Sequence, residues 1–241
     1  MLIIEGLTKK FGDVAAVSEL NIKVGEGEIY ALIGPNGSGK TTTVKSITGL
    51  YHPTGGDVLV GGSSITKEPE KAKAILGYIP DEPFAYEKMS GREFLHLVGA
   101  LFGMAPEERA ENIRKMLEIF PLEPIIDGYV ENYSRGNRQK ISILSALIHN
   151  PKILVIDEPI VGLDPESIAK TREILVDFSK KGRAVFLCTH TLSFAEQIAS
   201  RVGLLQEGRL VREGTINELR QALGKSNATL EEIYLNFTTK L

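Results

Sequence analysis

The chain has 241 residues, of which 42% are hydrophobic and 24% charged, with a net charge of −3 and a pI near 5.9. This apolar content suffices for a buried core, and the mild acidity argues against a protein that wraps nucleic acid, because neutralising phosphates requires a basic face. The single cysteine, Cys188, excludes an internal disulfide, and its apolar setting AVFLCTH predicts that it fills core space. No apolar run approaches the roughly 18 residues of a membrane helix, so another subunit would have to supply any membrane-spanning part.

Strands and short helices are predicted to alternate up to residue 80. The predicted strands are Leu2–Ile4, Val17–Val24, Ile29–Ile33, GGDVLVGG and GYIP, and the predicted helices are Thr41–Thr48 and Pro69–Ile75. The helix at Thr41–Thr48 is expected to end at Gly49.

From residue 84 to residue 150 the pattern predicts helices alone. PEERAENIRKMLEIF, for example, places Ile113, Met116 and Phe120 on one face at helical spacing. After Pro151 the alternation returns with strands KILVID, AVFLCTH, VGLLQ and RLVREG and helices near 166–179, 193–200, 216–223 and 230–237. We predict one α/β domain spanning 1–241, with an all-helical subdomain inserted at 84–150.

The segment GPNGSGKT matches the phosphate-binding pattern G-x-x-x-x-G-K-[ST] and stands between a predicted strand and a predicted helix. Glycines let the backbone curl so that consecutive N–H groups point at phosphate oxygens, Lys40 reaches the terminal phosphates, and the Thr41 hydroxyl suits Mg²⁺. A plain glycine turn is the alternative, but strand, turn and helix all agree with the motif. The predicted nucleotide-binding residues are Gly34, Pro35, Asn36, Gly37, Ser38, Gly39, Lys40, Thr41 and Thr42.

The strand KILVID ends in two acidic residues, Asp157 and Glu158. An acid at the end of a buried parallel strand can hold Mg²⁺, while the next acid projects differently and can polarise a water molecule. The alternative, a strand that simply ends at a turn, loses weight beside GPNGSGKT. The following Asp164 is, by itself, a good helix N-cap before Pro165.

His190 ends the predicted strand AVFLCTH. A lone histidine is more often structural than catalytic, and no other histidine stands at metal-ligand spacing from it, so a zinc site is not expected. Its place at the carboxyl end of a third buried strand nevertheless favours contact with a γ-phosphate in a shared crevice.

The segment YSRGNRQK precedes the apolar helix ISILSALIHN and has the residues of a second anion-binding helix start. With a stronger phosphate motif a hundred residues earlier, the sequence raises the question of which phosphate this second site would bind.

The ordered set GPNGSGKTTT, GYIPDEP, YSRGN, ILVIDEP, GLD and the strand-end His190 resembles the ATP-binding subunit of an ABC transporter over essentially the whole chain. Within this family, YSRGN and the segment that follows Asp81 are most similar to those of single-domain subunits of ABC-2-type exporters. The resemblance implies a P-loop NTPase core with a mixed sheet, an N-terminal antiparallel β portion and a helical insertion. It also implies ATP and Mg²⁺ as ligands and ATP hydrolysis as the activity.

In this family the segment matching YSRGN caps the ATP that a second subunit holds, in a head-to-tail dimer. The resemblance therefore implies that Ser134, Arg135, Gly136 and Asn137 contact the partner's nucleotide, and that Asp164 communicates across the dimer. It further implies that Glu158 is the general base, His190 the switch histidine, Asp157 a magnesium ligand, and Phe11 an aromatic that stacks on adenine. Phe11 could equally be a core residue, and this alternative stays open.

Three positions depart from the common family pattern. Asp81 stands where glutamine is usual; it is shorter and acceptor-only, so we expect it to contact the metal, with Glu82 as second choice. Arg135 and Asn137 replace the commoner glycine and glutamine; Arg135 either adds a cation near phosphate or is simply solvated.

The function expected from the resemblance is an ATPase that drives transport, as export, from the cytoplasmic face of the membrane. Its partners would be a separate membrane permease and a second ATPase subunit, identical or homologous, and no nucleic acid. Phe84, Tyr86, Met89 and Phe94 fall where the family docks a short permease helix, although core packing explains some of them equally well. Two alternatives stay open: a soluble ABC ATPase acting on DNA or ribosomes, and a regulatory nucleotide-binding module with weak turnover.

Overall fold

The computed structural model describes residues 1–238, which form two sheets and surrounding helices. The strands, numbered in chain order, are β1 (Leu2–Phe11), β2 (Val14–Val24), β3 (Ile29–Ile33), β4 (Gly55–Val60), β5 (Ser63–Ser64), β6 (Leu76–Ile79), β7 (Ile153–Asp157), β8 (Ala184–Thr189), β9 (Arg201–Gln206) and β10 (Arg209–Gly214). The helices are α1 (Lys40–Ile47), α2 (Pro69–Ala74), α3 (Gly91–Leu101), α4 (Pro106–Leu117), α5 (Arg135–Leu147), α6 (Pro165–Lys180), α7 (Leu192–Ile198), α8 (Ile216–Ala222) and α9 (Leu230–Thr238).

The larger sheet has the strand order β10-β9-β3-β8-β7-β6 and is parallel except for the β9–β10 pair. Strands β3, β7 and β8 are buried along their whole length, because parallel strands are covered on both faces. Their carboxyl ends lie side by side: Ile33 pairs with Thr189, and Asp157 pairs with Cys188.

The smaller sheet is antiparallel, with the order β2-β1-β4-β5. Alternate residues of β3 face two different cores, as the two-residue period of a strand requires. Tyr30 and Leu32 join a core formed with the smaller sheet and with Val44 and Ile47 of α1. Ile29, Ala31 and Ile33 join a second core formed with α3 to α7 and the C-terminal helices.

The predicted α/β fold with an antiparallel β portion and a mixed sheet is confirmed, and most predicted elements are found within one or two residues of their expected bounds. Strand β1 is longer than predicted: the register shifts after Ile4 and again after Leu7, with Gly6 at φ 57°, so the polar run EGLTKK continues the strand beyond a bulge. The short strand β5 was not predicted.

Between β6 and β7 the regular elements of the described chain are helical, namely α3, α4, a 3-10 turn at Val130–Asn132, and α5. The first of these helices begins at Gly91, where Ser90 and Glu93 form a reciprocal capping box. The bounds 84–150 for a helical subdomain stay a prediction. Over the described residues, we find no helix with the length and apolarity that crossing a membrane demands.

Candidate functional site

The glycine-rich turn between β3 and α1 leaves the start of α1 open. Gly39 stands at φ 106°, and a Cβ atom there would lie 2.5 Å from the Ala16 carbonyl oxygen, so this position requires glycine. No side chain caps the first N–H groups of α1. Together with the positive end of the helix dipole, these groups form a site suited to an anion.

Lys40 lies against this turn with its side chain buried. Its ammonium donates to the carbonyl oxygens of Gly34, at 2.8 Å, and Pro35, at 3.1 Å. The cation is therefore held at the anion site by the loop itself.

A cavity of about 400 Å³ opens in front of α1. It brings together nine of the predicted site residues: Asn36, Gly37, Gly39, Lys40, Thr41, Thr42, Asp81, Glu158 and His190. Ala16 of β2 and Val161 also line it, and neither was predicted. Residues separated by more than 100 positions thus meet at the carboxyl ends of the parallel strands, as expected for this sheet.

Asp157 lies beneath the cavity at the end of β7, almost entirely buried. Neither of its carboxylate oxygens has a well-formed hydrogen bond within the described part of the chain. Burial raises the pKa of Asp157 to about 6; the nearby Thr41 hydroxyl and Lys40 lower it, while the Asp81 and Glu158 charges raise it further.

A divalent cation fits this chemistry, because it would satisfy two buried oxygens that lack a well-formed hydrogen bond and offset the crowded negative charge. Thr41 and Asp81 line the cavity, and both act on Asp157, Thr41 through its hydroxyl and Asp81 through its charge, so they are the candidates to share such an ion with it. Within residues 1–238, no cluster of three or more His, Cys, Asp or Glu side chains is arranged to hold a metal by itself. A cation here would therefore also draw ligands from phosphate or water.

Glu158 is held in place by three donors. The Thr189 hydroxyl donates to Oε2 at 2.8 Å, and the backbone N–H of His190 donates to Oε1 at 2.9 Å. The Nδ1 atom of His190 lies 2.7 Å from the same Oε1; since an ionised carboxylate only accepts, Nδ1 carries the proton in this contact. The ring of His190 is otherwise exposed to the cavity, with Nε2 as its remaining polar atom.

The second predicted helix start is observed, but it lies outside this cavity. Ser134 is the N-cap of α5, and its hydroxyl accepts from the N–H of Asn137 at 3.2 Å. None of the four predicted residues 134–137 lines the cavity, and Ser134 and Arg135 are exposed.

Asp164 is the N-cap of α6, where it accepts from the Ser167 N–H at 2.8 Å and pairs with Lys140 at 3.3 Å. The Ser167 backbone and hydroxyl donors, with a smaller contribution from Lys140, lower the pKa of Asp164 to about 2. The side chain is exposed and lies outside the cavity.

Phe11 also stands apart from the cavity lining. Its ring is about half exposed and meets Tyr51 edge to face, with centroids 5.3 Å apart, while the Lys9 ammonium lies 5.1 Å from its centroid. Phe11 is therefore not part of the core, and its stacking on adenine stays a prediction.

Besides Val161, three contributors to the site were missed. Thr189 orients Glu158, Ala16 lines the cavity, and Gly208 donates its N–H to the carbonyl oxygen of Ser38 in the phosphate-binding turn, at 2.9 Å. Thr189 directly precedes His190 at the strand end, and this neighbour was the available signal. Nothing in the local sequence marks Ala16 or Gly208.

Comparison with known proteins agrees with this geometry. The ABC transporter family matches residues 17–161. The bacitracin transport ATP-binding protein BcrA of Enterococcus faecalis is 36% identical over 90% of this chain and 70% of its own length. A solved ATP-binding subunit of an ABC transporter superposes with a TM-score of 0.94 at 32% identity, covering 99% of both chains.

A dimeric ATP-binding cassette solved in a post-hydrolysis state with ADP and Pi superposes with a TM-score of 0.83 at 26% identity, covering 90% of this chain and 99% of that one. A cavity with an open helix start and an oriented glutamate, and a buried acid next to that glutamate in the chain, are parts that ATP hydrolysis needs. The chain therefore belongs to the ABC transporter family, as an ATP-binding subunit that hydrolyses ATP.

Proposed function

We propose that this ATPase powers transport, as export, through a separate membrane permease, and that it works as a head-to-tail dimer at the cytoplasmic face of the membrane. The observation that carries the proposal is the cavity in which Lys40 and Thr41 face Asp81, Glu158 and His190. ATP bound there would have its phosphates at the start of α1, facing the residues at the strand ends that would hydrolyse it.

The proposed roles follow from the contacts. The N–H groups at the start of α1 and the Lys40 ammonium bind the phosphates. Thr41, Asp157 and Asp81 would hold Mg²⁺, which neutralises phosphate charge when it is bound. Glu158 takes the proton of the attacking water, and Thr189 and His190 keep its carboxylate oriented.

Dimerisation is proposed from the separation of the two phosphate sites. Ser134 lies outside the cavity of its own chain, and its hydroxyl still has an O–H to donate while it accepts from Asn137. A phosphate from a second copy can use that donor together with the positive end of α5. The dimeric cassette among the solved relatives supports this arrangement.

The permease contact is proposed from two features, a pair of exposed aromatic side chains and an apolar groove. Phe84 and Tyr86 are 63% and 52% exposed and meet edge to face at 5.4 Å, whereas Phe94 is buried in the core. A groove of about 300 Å³ lined by Leu50, Phe102 and eight other residues lies between the ends of α1, α3 and α5. Exposed aromatic residues and a groove of this kind suit an amphipathic helix. Export is proposed because BcrA, by its name, serves bacitracin transport.

The dimer and the catalytic role of Glu158 are tested together with Glu158→Gln. We expect hydrolysis to fall by about 10²–10⁴-fold, the usual contribution of a general base, while ATP binding persists and the protein accumulates as a dimer. Phosphate release and size-exclusion chromatography with light scattering measure the two effects.

Two variants control this experiment. Glu166→Gln, at an exposed position of α6, should keep wild-type hydrolysis. The double variant Ser134→Ala/Glu158→Gln should bind ATP but stay monomeric. An ATP-bound Glu158→Gln protein that never dimerises would contradict the sandwich arrangement, and full hydrolysis by Glu158→Gln would remove its role as base.

The permease is tested by isolating the tagged chain from detergent-solubilised membranes of its own cells. We expect a protein with several membrane-spanning segments in stoichiometric amount, lost in Phe84→Glu and kept in Val14→Glu, which is equally exposed but on β2. Recovery of ribosomal proteins or DNA instead would favour the alternative soluble ATPase.

A further inference from the structure

We propose that Gln139 is a positioning residue for Glu158, and that it couples the start of α5 to the catalytic carboxylate of the same chain. The inference rests on the proposed function of Glu158 and Ser134, and it names a residue that neither contacts the cavity nor belongs to the predicted set.

Glu158 has a strained backbone that its surroundings must hold. Its φ is 52°, in the left-handed region, which costs a residue with a side chain about 1–2 kcal/mol. Its N–H donates to the Cys188 carbonyl at 2.9 Å, and its carboxylate is bound by Thr189 and His190. All of these contacts come from β8 and the residue after it, so they fix Glu158 from one side.

Gln139 supplies a contact from the other side. It lies in the second turn of α5 with no exposed surface, and its Nε2 donates to the carbonyl oxygen of Pro159, the residue after Glu158, at 3.1 Å. Its Oε1 has no partner among the described residues. Burying an unpaired amide oxygen costs about 1–3 kcal/mol, a cost that methionine or leucine would avoid while filling the same space. An amide at this position can donate the hydrogen bond to Pro159, which an apolar side chain cannot do.

Further contacts join the same face of α5 to the segment 159–164. A Cβ atom on Gly136 would lie 2.8 Å from the Gly162 carbonyl oxygen, so the two backbones touch. A Cβ atom on Gly162 would lie 3.2 Å from Cγ and Cδ of Arg135, whose stem therefore packs on this glycine. Lys140 pairs with Asp164. Arg135 and Gln139 are four apart along α5, and so are Gly136 and Lys140, so the four residues lie on neighbouring parts of one face.

The first two turns of α5 and the segment after Glu158 therefore form one packed unit. Ser134 begins that helix, and Gln139 lies five residues further on, bonded next to the base. Binding of a partner's ATP at Ser134 fixes α5, and through Gln139 it fixes the Glu158 backbone that performs hydrolysis in the chain's own cavity.

The test is Gln139→Met, which keeps the length and volume of the side chain but removes the donor. We expect kcat to fall about tenfold or more, because a small misplacement of a catalytic group has effects of this size, while the KM for ATP and the melting temperature stay near the wild-type values. In the Glu158→Gln background the same substitution should cause no further loss, since both changes act through one carboxylate.

Ser142→Ala, a buried substitution on the same helix that leaves Gln139 intact, is the matched control and should keep wild-type kcat. Should Gln139→Met melt below the assay temperature, Gln139→Asn, which keeps a buried amide without its reach, is measured instead with the same expectation.

A wild-type kcat in the variant that folds, or a loss that appears equally in KM, stability and the Ser142→Ala control, would overturn the inference. If the wild type hydrolyses ATP and Glu158→Gln does not, such a result overturns the role of Gln139 alone. Absence of hydrolysis in the wild type would overturn the proposed function and this inference together.

Discussion

Helices α1 and α5 are both predicted to bind phosphate at their N-termini, yet they begin in different ways. Helix α1 follows a left-handed Gly39, has no side-chain cap, and opens into a cavity lined by acids from other strands. Helix α5 follows Ser134, which caps it, and its start lies exposed at the surface. Under the proposed function, a single chain would supply the phosphate contacts at α1 by itself, whereas the predicted site at α5 would bind phosphate only together with a second surface.

The C-terminal ends of the same two helices converge. Thr48 and Leu50, which follow α1, line one groove together with Ser145 and His149 at the end of α5. Each helix thus runs from its own predicted phosphate contact to a shared groove. A partner bound in that groove would contact both helices, so the proposed permease could respond to both predicted phosphate sites.

The largest expected effects come from disabling each helix start separately. Lys40→Ala should weaken ATP binding about 10–100-fold, because a charge-assisted contact to phosphate contributes about 1.5–3 kcal/mol. Ser134→Ala should leave ATP binding by the dilute chain unchanged but reduce hydrolysis more than tenfold, since its partner phosphate belongs to another copy. Fluorescent-nucleotide titration and phosphate release measure the two quantities.

Mixing the two inactive variants distinguishes the sandwich from a single-chain mechanism. A mixed dimer contains one composite site with both Lys40 and Ser134 intact, so part of the hydrolysis should return. Thr215→Ala removes the N-cap of α8 and controls for the stability cost of a lost cap, about 1 kcal/mol. If mixing restores nothing, or if Ser134→Ala weakens ATP binding by the dilute chain as much as Lys40→Ala does, the comparison between the two helix starts fails.

The predicted phosphate site at α1 could be inferred from the sequence because most of its residues are close together in the chain. The strand, GPNGSGKT and the helix are contiguous, and the acids of β7 and His190 of β8 were expected to meet because parallel strands end at the same edge. The residues that contact and orient this site, by contrast, are distant from it in the sequence. Ala16 and Gly208 reach the phosphate-binding turn only through the approach of β2 and the β9–β10 turn.

The same reason explains what else was missed. Gln139 was visible in YSRGNRQK, but its bond to Pro159 depends on how α5 packs against the segment after β7. The edge-to-face contact of Phe11 with Tyr51 joins residues 40 positions apart, and no periodic pattern encodes it. Sequence motifs predicted the chemistry, whereas the orientation of the groups that perform it required the packed structure.

The convergence of the two C-terminal ends is tested by His149. Burial lowers the pKa of His149 to about 4, opposed by a contact of Nε2 with the Leu76 carbonyl at 3.1 Å, and its ring stacks on Phe102. As pH falls from 7 to 5, the unfolded chain takes up a proton that the folded chain does not, so the wild type loses stability in that window. Relative to His149→Gln, we expect a loss of about 2 kcal/mol by pH 5.

Urea unfolding of the two proteins at pH 7.5 and pH 5 measures this difference. The exposed His52→Gln variant controls for the loss of one surface histidine. If the wild type and His149→Gln lose equal stability, His149 is not held neutral at the end of α5, and the groove is more open to water than its stacked rings indicate.

The smallest expected effect concerns whether the α1 site carries its own metal ligand. Asp81 lines the cavity and raises the pKa of Asp157 through its charge, whereas the neighbouring Glu82, which is exposed as well, does not line the cavity. Asp81→Ala should raise the Mg²⁺ concentration for half-maximal hydrolysis about fivefold, on the order of 1 kcal/mol, and leave kcat at saturating Mg²⁺ near wild type because Glu158 is intact. Metal-free ATP should bind slightly tighter, since one negative charge near the phosphates is gone. Glu82→Ala should match the wild type in both measurements. An unchanged Mg²⁺ dependence in Asp81→Ala would remove Asp81 from the metal site, and the complete phosphate site at α1 would then rest on Thr41 and Asp157.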